Sequence, residues 1–237
     1  MRFIPWQGVR RICAMMELRT KNVWLIRHAE SIGNAGLVTS RPDTIPLTGK
    51  GIEQALYLAD SFTQAPELIV TSPYIRTQQS ARPTIRRFPT ARQEQWEVQE
   101  FTYLSPARYR DTTAADRSPF VEAYWSRCDP HHIDGEGAES FADFIRRVQL
   151  AIDGLWTCQS EFVAVFGHGL FLRAMIWWML FGAQPVNATT MLYFRRLLVA
   201  TAMPNTAITK VDLLANVQEA RISDIITAHL PSQLITY

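Results

Sequence analysis

Val23-Trp24-Leu25-Ile26-Arg27-His28 decides the fold class. Its first four residues are apolar without alternation, the pattern of a strand buried on both faces of a parallel sheet. The abrupt change to Arg27-His28 places ionisable groups at the strand's carboxyl end. Two later runs repeat the arrangement. Leu68-Ile69-Val70 leads through Thr71-Ser72-Pro73 to Arg76, and Phe162-Val163-Ala164-Val165-Phe166 leads to His168 inside Gly167-His168-Gly169.

Helical patterns separate these runs. Ile52, Ala55, Leu56, Ala59 and Phe62 share one helical face. Ser140 and Asp143 have capping-box spacing, ahead of a stripe of Phe141, Phe144, Ile145, Val148, Ile152 and Leu155. Leu170–Ala183 reads as a core helix and Ala207–Leu214 as a further strand. Alternating strands and helices predict an α/β protein, a three-layer sandwich with a mainly parallel central sheet. Residues 97–137 break the alternation and hold Phe101, Tyr103, Tyr109, Phe120, Tyr124 and Trp125 with three prolines. Such an insertion predicts a functional cap. The expected organisation is an N-terminal extension over residues 1–20, with Met15-Met16 near its end, then a single domain over 21–237 carrying the cap.

Composition narrows the partners. The 237 residues are 47% hydrophobic and 19% charged, which excludes a disordered or fibrous chain. Lys and Arg exceed Asp and Glu by 24 to 22, a net charge of +2, too small to make nucleic acid or an anionic membrane the main partner. Cys13, Cys128 and Cys158 form no Cys-x-x-Cys pair, which fits a reducing compartment. The first twenty residues lack the unbroken apolar stretch of a secretory signal, and Leu170–Ala183 is shorter than the ~20 residues of a membrane helix. A soluble, cytoplasmic protein is expected, without nucleic acid or membrane as partner.

Residues just past the carboxyl ends of parallel strands converge on one sheet edge, where ligands bind. Arg27, His28, Arg76 and His168 are therefore expected around one crevice. Arginine's planar fork binds phosphate bidentately and stays charged. Each arginine also disfavours a nearby imidazolium, by up to ~4 kcal/mol at ~4 Å and an effective dielectric of ~20. The histidines should then be neutral at pH 7, and a neutral imidazole can attack phosphorus.

Arg27-His28-Ala29-Glu30-Ser31 with Asn34, Leu47-Thr48 with Gly51 and Gln54-Ala55, Thr71-Ser72-Pro73 with Arg76, and Gly167-His168-Gly169 together resemble the signature of the histidine phosphatase superfamily, its phosphoglycerate mutase-like branch. The resemblance implies that His28 is the phosphorylated nucleophile. It implies that Arg27, Arg76 and His168 hold the phosphoryl group, with Ser31 and Asn34 adding polar contacts. The family's proton donor is an acidic residue soon after a strand. Glu100 fits that place best, with Glu97 and Asp111 as alternatives. Ala29 stands where the family usually has glycine. Glu100 is followed by Phe101-Thr102-Tyr103-Leu104 and not by the mutases' His-Tyr-Gly-type continuation, which favours hydrolysis of a small-molecule phosphate ester over phosphoryl transfer. No metal or cofactor is implied.

Other readings of the same residues remain open. The chain could be a phosphomutase of this family, or a binding protein that keeps the anion pocket without turnover. Ala29-Glu30-Ser31-Ile32-Gly33 imitates a nucleophile elbow, making a serine hydrolase on Ser31 a remote option. Arg27 and Arg76 could instead pair with Glu30 and Asp43. His131-His132 with Asp134, Glu136 and Glu139 imitates a metal cluster but reads better as a solvated loop, and His229 reads as structural. The sequence leaves the oligomeric state open.

Overall fold

The computed structural model describes residues 20–214 and 219–237. Cys13, Met15, Met16 and the rest of the expected extension up to residue 19 lie outside the described residues. Among the described residues six strands form one sheet: β1 (Thr20–Arg27), β2 (Leu68–Thr71), β3 (Arg92–Gln95), β4 (Phe162–Gly167), β5 (Ile208–Leu214) and β6 (Glu219–Ile226). Their order is β3-β2-β4-β1-β5-β6. The β3-β2, β2-β4 and β4-β1 pairs are parallel, and β5 runs antiparallel to both neighbours.

The unbroken apolar runs are explained by cover on both faces. Val23, Leu25, Val163 and Val165 point into one apolar cluster, whereas Trp24, Ile26, Ala164 and Phe166 point into another. The first cluster is completed by α4 (Phe141–Thr157), α5 (Gly169–Phe181) and α6 (Ala188–Ala200). The second is completed by α1 (Gly49–Asp60), the following Phe62, and α2 (Ile75–Arg87). Helices on two faces of a mainly parallel sheet give the expected three-layer α/β sandwich. Among the described helices, none is long and apolar enough to cross a membrane.

α4 buries all six residues of its predicted stripe, and the Ser140 side chain caps it by accepting from the Asp143 amide. α1 departs from expectation. Ile52 and Leu56 are 56% and 53% exposed, and the inward face is Gly51, Gln54, Ala55, Leu58 and Ala59. Two specific contacts turn the helix. A Cβ on Gly51 would lie 2.0 Å from the Glu30 carbonyl oxygen, so only glycine allows this approach. Buried Gln54 accepts from the Glu30 amide at 2.7 Å and donates to the Leu234 carbonyl at 2.7 Å. Fixing the loop after β1 therefore outweighs burying two aliphatic side chains.

Residues 97–137 contain a 3₁₀ turn (Pro106–Tyr109) and α3 (Ala114–Arg127). Phe101, Tyr124 and Trp125 pack in the same cluster as Phe141, Phe144 and Phe194, so these three aromatics of the segment belong to the main core, whereas Phe120 is exposed. Phe101 stacks on Phe144 at 4.3 Å between ring centres.

Candidate active site

β1 and β4 end side by side, with Arg27 opposite Gly167, and Thr71 of β2 pairs with Phe166. Register thus brings the three post-strand segments to one level, and the four expected side chains meet there. His28, Arg76 and His168 are 4%, 6% and 0% exposed, and the two imidazole centres are 5.1 Å apart.

The tautomer of His28 follows from its partners. Nδ1 lies 2.8 Å from the Ala29 carbonyl oxygen, which can only accept, so Nδ1 carries the proton. Nε2 then presents its lone pair, and the Arg76 Nε–H donates to it at 3.2 Å. The Arg76 Nη1 group donates to the Pro42 carbonyl at 2.6 Å, which anchors the guanidinium. The main chain of His28 is fixed as well: its amide donates to Gly167 and its carbonyl accepts from Asn205 Nδ2 at 3.1 Å.

His168 caps α5 at its N-terminus. Its Nε2 lies 2.7 Å from the Ser72 hydroxyl, whereas its buried Nδ1 has no partner among the described residues. Arg27 donates from Nη1 to the Met203 carbonyl, and its buried Nε also has no partner there. Each such orphan costs about 1–3 kcal/mol, so these two buried nitrogens, one on Arg27 and one on His168, mark a place for a polar ligand.

Burial is the main cause that pushes both imidazoles well below their ordinary value. The positive charges of Arg76 and then Arg27 add to it at His28, and Arg76 adds most after burial at His168. Both rings are therefore neutral at pH 7. Arginine repulsion alone was the expected cause; desolvation proves larger. Arg27 falls to about 10, chiefly through burial, and so remains a cation.

The Glu100 carboxylate accepts from the amides of Leu170 and Phe171 in the first turn of α5, at 3.1 and 3.2 Å. Its negative charge acts on Arg27, Arg76 and Arg173, which places it beside the cluster. Glu97 and Asp111 are exposed, and neither is among the charges that act on Arg27, Arg76 or Arg173. Ser31 and Asn34 are brought to the loop after His28, where the Ser31 hydroxyl donates to Asn34 Oδ1 at 2.8 Å. That bond, with His168 on Ser72, gives Ser31 no histidine base. Glu30 accepts from Thr48 and Asp43 pairs with Arg41, so neither arginine of the site is held by the surface pairing considered above. In the His131-His132 loop, Asp134 is held by Arg108 and Glu139 by Arg147. Among the described residues no three histidine, cysteine or carboxylate groups gather to hold a metal ion.

Sequence reasoning missed several supports. Ser72 fixes His168, and Ser80 accepts from the Ala29 amide at 2.9 Å. Tyr74 sets its ring edge-on to His168 at 5.3 Å, and Asn205 holds the His28 carbonyl. The only available signal for Ser72 and Tyr74 was their place beside Arg76. A crevice of about 350 Å³ is bounded by Arg41, Pro42, Tyr74, Gln99, Thr102 and Glu139, and two of these link it to the cluster, Pro42 by accepting from Arg76 and Tyr74 by its contact with His168. A larger, mostly apolar cavity of about 540 Å³ between α5 and α6 shares none of the site residues.

The sequence model of the histidine phosphatase superfamily (branch 1) matches residues 23–213. The adenosylcobalamin/alpha-ribazole phosphatase of Salmonella typhi is 28% identical over 144 residues, covering 58% of this chain and 70% of its own. The solved alpha-ribazole phosphatase of Shigella flexneri superposes with a TM-score of 0.67 at 23% identity, covering 87% of this chain and 96% of its own. A phosphoserine phosphatase mutant from Entamoeba histolytica gives a TM-score of 0.66 at 19% identity, covering 89% and 99%. At those identities the two structures establish a shared fold.

Proposed function

The chain belongs to the histidine phosphatase superfamily, whose members include phosphoric monoester hydrolases, and from that premise we propose that it cleaves a phosphate ester by transient phosphorylation of His28. The observation that carries the assignment is the His28 ring itself. Its Nδ1 proton is held by a main-chain carbonyl, its Nε2 lone pair faces Arg76, and two unpartnered buried nitrogens, Arg27 Nε and His168 Nδ1, belong to the same cluster.

Nε2 attacks phosphorus as the ester P–O bond breaks. Arg27, Arg76 and His168 take the equatorial oxygens and offset their charge, the main task of the protein in phosphoryl transfer. The Glu100 carboxyl group passes a proton to the leaving alkoxide. A water then attacks the phosphohistidine, losing its proton to the Glu100 carboxylate, and phosphate leaves. General acid catalysis of this kind contributes about 10²–10⁴ in rate. No step needs a metal ion. Ser31 and Asn34 support the loop through their mutual bond and border the phosphate place. Residues 97–137 act as the cap over the alcohol half of the substrate, a small molecule. The scarce, scattered cysteines support a cytoplasmic setting.

Rapid acid quench and rapid base quench with a labelled phosphomonoester test this reading. A phosphoenzyme stable in base and labile in acid is expected, absent in His28→Ala, with turnover unchanged by EDTA. A label that survives acid but not base would move the nucleophile to a carboxylate.

A further inference from the structure

We propose that the crevice beside the site selects phosphate esters of neutral, hydroxyl-bearing alcohols, with Gln99 as the specificity-determining residue; this rests on the phosphatase reading above. Two observations carry it. The first is that Gln99 lines the crevice and that its side-chain carbonyl oxygen is buried without a hydrogen-bond partner among the described residues. An amide oxygen in that condition calls for a donor, such as a hydroxyl group of the leaving alcohol.

The second is the state of the nearby cations. Arg41 is held in bidentate fashion by Asp43, with Nε on Oδ1 at 3.1 Å and Nη2 on Oδ2 at 2.7 Å. Arg147, behind the wall residue Glu139, is held by it through Nε at 3.0 Å and Nη2 at 2.5 Å. Each guanidinium near the alcohol side is already neutralised, whereas those of Arg27 and Arg76 are committed to the phosphoryl side. A carboxylate on the leaving group would meet the paired acidic side chains of Asp43 and Glu139 and, among the described residues lining the crevice, no unpaired cation. A sugar-like alcohol would instead set its carbon face against Tyr74 and Pro106 and donate to Gln99. The Tyr74 hydroxyl, fixed at 3.0 Å from the Thr102 hydroxyl, holds that wall in place.

The probes are ribose 5-phosphate, O-phosphoserine, 3-phosphoglycerate and p-nitrophenyl phosphate. The wild-type kcat/KM is expected to be at least tenfold higher for ribose 5-phosphate than for either carboxylated ester. Gln99→Met should lower the ratio of ribose 5-phosphate to aryl phosphate kcat/KM about three- to tenfold, the value of one neutral hydrogen bond, mainly through KM. Asp43→Asn releases the Arg41 guanidinium and should shift preference toward 3-phosphoglycerate several-fold. Equal wild-type turnover of the carboxylated esters overturns the proposal, as does an equal loss on both esters in Gln99→Met. If Gln99→Met melts early, Gln99→Glu, which keeps an acceptor, and Asp43→Asn decide. A protein that hydrolyses aryl phosphate without this selectivity sinks only this inference. One that hydrolyses none of the four esters sinks the phosphatase reading with it.

Discussion

At the scale of single residues, two neutral imidazoles are buried beside permanent cations. Their folded-state pKa values lie below the ordinary 6.5, mainly through desolvation. Below pH 6.5 the unfolded chain therefore binds protons that the native state refuses. Their contribution to stability is complete above that pH and is lost as the pH falls through it, by about 1.4 kcal/mol per pH unit for each histidine. Denaturant melts between pH 7 and 5 should show this decline, and His168→Asn should flatten it. The ring protons of His28 and His168 should show no NMR titration near pH 6.5. A full titration of either there would mean that the ring is solvated and the cluster open.

At the scale of elements, the site depends on supports that never touch a ligand. Arg147 of α4 donates to the carbonyls of Glu97 and Gln99 and pairs with Glu139, which in turn accepts from the Thr102 amide. This clamp fixes both sides of Glu100. Arg147→Ala leaves Glu139 unpaired in a half-buried place and should cost about 2–4 kcal/mol, with a drop in kcat from a displaced Glu100. Urea melts and steady-state kinetics on the purified variant check both. Gly51→Ala should be comparably harmful although α1 is a regular helix, because the new methyl group would meet the Glu30 carbonyl. A Tm within 2 °C of wild type in that variant would show that the loop after β1 can move away.

At the scale of the whole molecule, three segments distant in sequence supply Arg27, His28, Arg76 and His168, so occupancy of the proposed anion pocket should be felt as global stability. Inorganic phosphate at 100 times its Kd should add about 2.7 kcal/mol, a rise in Tm of about 5–10 °C for a chain of this size. Thermal melts with and without phosphate measure it. The same titration on Arg76→Ala should give a much smaller rise; equal rises would place the anion elsewhere.

The sequence by itself determined the class of the fold, because residues buried on both faces of a sheet leave short unbroken apolar runs, and these alternate along the chain with helical patterns. It also determined the meeting of His28, His168, Arg27 and Arg76, since parallel strands put their carboxyl ends on one edge. It was silent on β3, whose residues Arg92–Gln95 are an edge with one paired side, and on α2, whose inward face is Arg76, Thr77, Ser80, Ala81 and Thr84. A helix that lines a polar site shows no apolar stripe. It misread the face of α1 because hydrogen bonds from Gln54 and the close approach of Gly51 leave no periodic signal. Only the tertiary structure decided which ring nitrogen of His28 carries the proton, that Glu100 and not Glu97 or Asp111 lies beside the cluster, and that burial exceeds charge in keeping the imidazoles neutral. Each of those depends on what surrounds an atom in three dimensions, which chain order does not encode.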